Sequence, residues 1–245
     1  MPLDLTGCRA KIERAKKHIS DFDRERLIFL DTNPYVVIAK FDTESNITQS
    51  IMGPLPTLPD GLATIAGDAA QNLRTALDYL AAELARINGG DSKRVYFPIA
   101  ESAEKYKSEL DGKTKGISTK AVEVFSQIEP YCGGHGQMLW VLHSLNNADK
   151  HRLLVSVGSN IARTVQMTLS PTPRMYSALI HAPGLQEGLV LGEVGGNTEP
   201  DNHIKFTFDI AFGEPEILEG EYVVPTLTYM AGMVETIVNH FAENF

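Results

Sequence analysis

Cysteine is scarce in this chain: Cys8 and Cys132 are the only two among 245 residues. Two thiols cannot build the disulfide framework of a small secreted scaffold, and no CxxC or Cys/His spacing marks a zinc site. Basic residues are outnumbered, 22 against 31 acidic, for a formal net charge of -9. That balance argues against a broad nucleic-acid surface, which draws most of its affinity from positive charge, though it leaves room for a local basic groove. No apolar run approaches the length of a membrane span. The N-terminal stretch MPLDLTGCRAKIERAKK has no apolar signal core, so no membrane is expected and a cytoplasmic location is the default expectation. The chain also lacks GxSxG, HExxH and GxxxxGK[ST]. Its glycine-rich GEVGGNTEPDNH segment falls between strand patterns, not between a strand and a helix, so it is no phosphate loop. No cofactor and no metal are expected.

What is present is ordinary globular composition, 43% hydrophobic and 22% charged. Residues 3 to 26 carry Leu5, Cys8, Ile12, Ala15, Ile19 and Phe22 at alternating spacings of three and four. This is the apolar seam of a helix. Cys8 lies on it and reads as a small core residue. The next stretch, PYVVIAKFDTESNITQSIM, predicts a hairpin at about 34–52, with TESN as its turn. Three prolines and a glycine in PLPTLPDG then break the chain. Leu62, Ala66, Ala69, Leu73, Leu77, Leu80, Leu84 and Ile87 mark a second long helix, which NGGD should stop. A short helix is expected near 101 to 110. Another begins after a Ser118 cap and ends before Pro130, and a fourth spans QMLWVLHSLNNADKH.

The periodicity then changes. LLVSVGS, TVQMTLS, GLVLGEV and HIKFTFDIAF read as an antiparallel meander of about four strands over 152–213. A C-terminal helix at 223–245 follows, with Leu227, Met230, Val234, Ile237 and Phe241 on one face. Helices grouped first and last, with strands between, predict an α+β chain: one domain over 1–245, mainly helical over 1–150, with a helical bundle packed against an antiparallel sheet.

Two polar constellations stand out. In GDAAQNLRTALDYL, residues 67 to 80, Asp68, Asn72, Thr75 and Tyr79 recur down one flank of the helix. Arg74 and Asp78, four residues apart, lie toward its back. The plain reading of Arg74 and Asp78 is a surface ion pair. In LHSLNNADKHR, residues 142 to 152, His143, Asn146, Asn147, Asp149, Lys150, His151 and Arg152 crowd where a helix meets a strand pattern. Cations in a last helical turn offset the helix dipole. The same cluster could also supply a base in His151, an orienting carboxylate in Asp149 and phosphate-binding cations in Lys150 and Arg152.

Taken together, GDAAQNLRTALDYL and LNNADKHR resemble the paired motifs GDxxxNLRxxLD[HY]L and LxNxDKHR of a family of uncharacterised bacterial proteins. More distantly, the helix is similar to the HEPN superfamily. There an arginine and a histidine are separated by four to six residues on one helix, and two such helices meet across a dimer to cleave RNA. Arg74 takes the place of that arginine, and Tyr79 stands where the histidine falls.

Two readings of function follow. In the first, the chain is an interaction or binding protein in which Asp68, Asn72, Asp78, Tyr79, His143, Asn146 and Arg152 form a polar seam or binding surface. In the second, implied by the HEPN resemblance, it is a metal-independent ribonuclease or phosphodiesterase. His151 would then be the base, Asp149 would orient it, and Arg74 with Lys150 would stabilise phosphorane charge. RNA is the partner in the second case. A homodimer through the long seams of the first and last helices fits either.

Overall fold

The structure, a computed structural model, describes residues 2–151, 163–169, 174–180, 186–196, 204–213, 217–218 and 220–245. Its helices are α1 (Thr6–Asp31), α2 (Asp60–Ile87), α3 (Ala103–Lys113), α4 (Thr119–Ile128), α5 (Gln137–His151) and α6 (Val223–Asn244). Its strands are β1 (Val37–Asp42), β2 (Ile47–Met52), β3 (Arg163–Leu169), β4 (Arg174–Ile180), β5 (Val190–Gly195) and β6 (Ile204–Thr207). Both sheets are antiparallel, and the chain is α+β. It divides into two compact units. One comprises Met1–Phe22, Thr64–Val155 and Val224–Phe245, and the other Asp23–Ala63 and Ser156–Val223.

The first unit is helical, and α2 dominates its core. The expected leucine face is buried at Leu73, Leu77, Leu80 and Leu84, but so are Ala70, Ala81 and Ala85 beside it. Alanine carries no bulk beyond Cβ, so neighbours can approach α2 on a second face as well as the leucine face. The seam of α1 (Leu5, Cys8, Ile12, Ala15, Ile19 and Phe22) is buried throughout. So is that of α6, at Leu227, Met230, Val234, Ile237 and Phe241. Both seams are therefore consumed within the chain and are not free for helix-mediated pairing. Lys16 ties α1 to α6 through Glu235, at 2.7 Å. Phe97, Phe125 and Phe241 pack in sequence, with ring centroids 4.9 and 5.3 Å apart.

Local signals end the helices where chemistry requires. Ser118 accepts the Ala121 N–H and caps α4, and Ser102 does the same for α3 through Lys105. Gly89, at φ +78°, stops α2, and the Gly90 N–H returns to the Ala85 carbonyl at 2.8 Å. Gly90 and Gly116 touch backbone to backbone: a Cβ on either would lie within 3 Å of the other's Cα. Helix α1 runs five residues past its expected end, because nothing breaks it before Asn33, at φ +49°, and Pro34.

The second unit holds the strands. β1 and β2 form the expected hairpin, in register from Val37↔Met52 to Asp42↔Ile47, with Asn46 at φ +54° in its turn. The expected meander is corrected in two ways. β5 joins the early hairpin, giving the order β1-β2-β5, and the second sheet runs β4-β3-β6. In addition RMYSALI, not anticipated as a strand, is β4 and pairs with β3 from Arg163↔Ile180 to Leu169↔Arg174. The LLVSVGS pattern lies outside the described residues. The recruitment of β5 has a physical reason. A two-stranded hairpin cannot bury an apolar face by itself, and Leu191 of β5 completes a cluster with Met52, packed by Tyr35, Val37, Leu55, Leu189 and Phe208. Arg26 braces this unit by pairing with Asp23 at 2.6 Å and Asp209 at 2.5 Å.

Burial makes two solution predictions. Desolvation pushes the Cys8 thiol up to about 12, whereas Cys132 is exposed. A disulfide reagent near neutral pH should titrate one thiol per native chain and two after unfolding. Tyr35 is likewise pushed up to about 12, first by burial and then by the Asp209 carboxylate. Its folded value lies above the unfolded one near 10, so its contribution is intact below pH 10 and is lost as pH rises through 12. Alkaline titration of phenolate absorbance should show late components, of which Tyr35→Phe removes the one near pH 12 while that of Tyr106, also raised by burial, remains.

Candidate functional site

Arg74 is the most deeply buried cation among the described residues, 8% exposed on the second, alanine-lined face of α2. Guanidinium is planar and only donates. Here each of its three nitrogens meets a protein acceptor. Nη1 donates to Asp78 Oδ1 at 2.6 Å, Nη2 to the Phe97 carbonyl at 3.2 Å, and Nε to His143 Nδ1 at 3.3 Å. Asp78 Oδ1 also accepts the Phe97 N–H at 3.1 Å, so this ion pair satisfies both backbone groups of Phe97. On α5, His143 Nε2 lies 3.0 Å from the Asn147 carboxamide. Two i,i+4 pairs, one on each helix, thus face each other: Arg74 with Asp78, and His143 with Asn147.

Arg74 Nε has a proton and no lone pair, so His143 Nδ1 is the acceptor in that contact. At the other ring nitrogen the Asn147 Nδ2 lies 3.0 Å away, and which of the two donates follows the imidazole tautomer.

The structure rearranges the expected roles. Arg74 and Asp78, read from sequence as a surface pair, form a pair in which Arg74 is buried and Asp78 is partly exposed, because α2 is covered on two faces. The flank stripe does not join them. Asn72 Oδ1 accepts from Lys11 Nζ on α1 at 3.2 Å, and its Nδ2 returns to the Asp68 carbonyl at 2.7 Å. Thr75 bonds the Gln71 carbonyl. Tyr79, 46% exposed, lines a cleft of about 340 Å³ with Asp4, Gly7, Glu83, Arg86 and Ser92. Its ring lies 2.9 Å from where a Cβ on Gly7 would stand, so any side chain there would push the Tyr79 ring aside. Asp4 caps the start of α1, and the Thr6 N–H holds its carboxyl below the usual carboxylate range. Arg86 pairs with Glu83 and donates to the Pro2 carbonyl.

Asn146 is buried on α5. The backbone of Asp149, Lys150 and His151 forms the last turn of that helix. Their side chains, and Arg152 altogether, lie outside the described residues. No group of metal-ligating side chains occurs among the described residues, and no described helix is long and apolar enough to cross a membrane. Sequence reasoning missed the part played by Phe97 and Asn147. The available signal was the matched i,i+4 spacing on two helices, with alanines beside Arg74 making room for an opposing helix.

Removing a buried charge leaves its partners unmatched. Arg74→Ala should therefore cost about 2–4 kcal/mol in denaturant unfolding, far beyond an exposed i,i+4 pair. Combining it with His143→Ala should cost less than the sum of the two, since both remove the same contact.

Comparison with protein-family models, with curated proteins and with solved structures returned no match.

Proposed function

We propose that the chain is a binding protein whose buried polar seam holds α2 against α5, and whose contact surface is the cleft beside Tyr79. The observation that carries this reading is the commitment of Arg74. A phosphate-binding arginine must offer accessible N–H groups to its ligand, whereas three of the five Arg74 N–H groups already meet protein acceptors and the side chain is 9% exposed. The cleft is the complementary case. Its volume suits a small ligand or an inserted side chain, and an exposed tyrosine offers apolar area with a polar tip, the type of residue favoured at binding hot spots. The finer architecture, a bundle against a sheet, and a homodimer through a surface other than the α1 and α6 seams belong to the same proposal.

Two measurements test it. Wild type should not cleave a mixed pool of structured and single-stranded RNA in EDTA. Cleavage that disappears in both Arg74→Lys and His151→Ala, with each still folded, would replace this reading with the HEPN-like ribonuclease. A fragment library screened by ligand-observed NMR should give binders whose signals are lost in Tyr79→Ala. Binders that persist unchanged in that variant would move the contact surface elsewhere.

A further inference from the structure

Strand β1 stands at the end of its sheet, which runs β1-β2-β5 among the described residues. Along an antiparallel pair, residues alternate between those whose N–H and C=O point at the partner strand and those whose groups point away. The Gly53 N–H donates to the Val36 carbonyl at 2.8 Å. The register that continues from this pair therefore turns Ile38, Lys40 and Asp42 toward β2. The N–H and C=O groups of Val37, Ala39 and Phe41 point the other way, to the edge, where no described strand meets them.

Such an edge is a template for a further strand, and the side chains say which one. Val37, Ala39 and Phe41 share a face with Thr48, Ser50 and Met52, and Ile38, Lys40 and Asp42 lie on the other. Lys40 and Asp42 are exposed, and the Lys40 ammonium has no ion pair or hydrogen bond among the described residues. Consider β1 paired with its own copy about a two-fold axis. An axis at residue 40 would set Lys40 against Lys40. An axis at residue 39 would set Lys40 against Ile38 and Asp42 against Val36. An axis at Phe41 sets Lys40 against Asp42 twice on the outer face, and Phe41 against Phe41 on the inner.

We propose that β1 is a self-association edge: a second copy of this chain pairs with it antiparallel about a two-fold axis at Phe41, making one sheet in the order β5-β2-β1-β1-β2-β5. This rests on the homodimer in the reading above and supplies its surface, and it does not involve the cleft at Tyr79. The pairing is isologous and closed. Directly opposed charges of opposite sign and an aromatic pair across the strands both favour it. A lysine on an edge strand ordinarily discourages pairing. Here it rejects the registers that oppose it to itself or to an apolar residue, and the aspartate two positions on admits one.

Sedimentation velocity on the full chain over a concentration series reads the outcome. Wild type should be a monomer–dimer system. Ala39→Pro removes an outward N–H and puts the ring in its place, a change that edge strands tolerate, and it should be monomeric. Lys40→Glu should weaken dimerisation about tenfold or more, whereas Lys40→Arg should keep it. Asp42 is left unchanged because its carboxylate also holds the turn, accepting the Glu44 N–H at 3.0 Å and the Ser45 hydroxyl at 2.7 Å. Lys40 is exposed, so its variants decide the matter even if Ala39→Pro does not fold. A wild type that stays monomeric overturns the proposal and the homodimer together, and leaves the edge to a strand of another protein. A dimer that persists undiminished in Ala39→Pro lies on another surface and overturns the proposal alone. Loss of the dimer in Ala39→Pro with none in Lys40→Glu overturns the axis at Phe41. None of these results alters the fragment screen at Tyr79, which tests the binding reading separately.

Discussion

A guanidinium removed from water has to be met on every side, and that requirement organises the helical unit. Arg74 lies on a face of α2 that leucine spacing alone would not bury, and it is tolerated there because three acceptors come to it from different parts of the chain. Asp78 comes from the next turn, the Phe97 carbonyl from the connection after α2, and His143 from α5. Each acceptor fixes a different segment. The aspartate holds the side chain along its helix, and the peptide of Phe97 is held at both ends, which seats that ring against Phe125. The imidazole sets the rotation of α5. An apolar side chain at position 74 could fill the space but could specify none of these positions.

Much of the fold was legible in the sequence where the cause is local. The seams of α1, α2 and α6 follow from the spacing of apolar residues, and Ser118 announced the start of α4 through its own hydroxyl. The hairpin of β1 and β2 followed from two β-rich runs around a turn-forming stretch. What escaped reading depends on partners distant in the chain. Nothing in GLVLGEV says that it pairs with β2 rather than with its neighbours, since that choice is made by Leu191 meeting Met52. RMYSALI gave no clean alternation, and its strand character comes from the ladder with β3.

The candidate site was legible in part and for a similar reason. Both polar stretches stood out in the sequence, but on α2 the inner and outer sides were exchanged. Counting leucines defined a single front for α2, so Arg74 and Asp78 fell to the back and the stripe from Asp68 to Tyr79 fell to the border. Alanines at 70, 81 and 85 gave α2 a second buried face. That left Asn72 to reach Lys11 on α1 and Tyr79 to open onto the surface. Small residues carry little weight in a hydrophobic pattern, yet they determine how closely a second element can approach.

The meeting of Gly90 and Gly116 constrains the sequence in a different manner. Side-chain contacts can be repaired by a compensating change across the interface, a larger residue on one side answered by a smaller one on the other. Here each partner is already at the minimum size, and what it touches is main chain, which no substitution can shrink. Position 116 also requires a left-handed backbone, which closes the route of exchanging the two roles. The crossing therefore admits no paired solution. The segment leaving α2 and the segment entering α4 are bound to vary independently of each other and each only around a fixed glycine, so length changes in this region have to fall between positions 91 and 115 and return the chain to the same point.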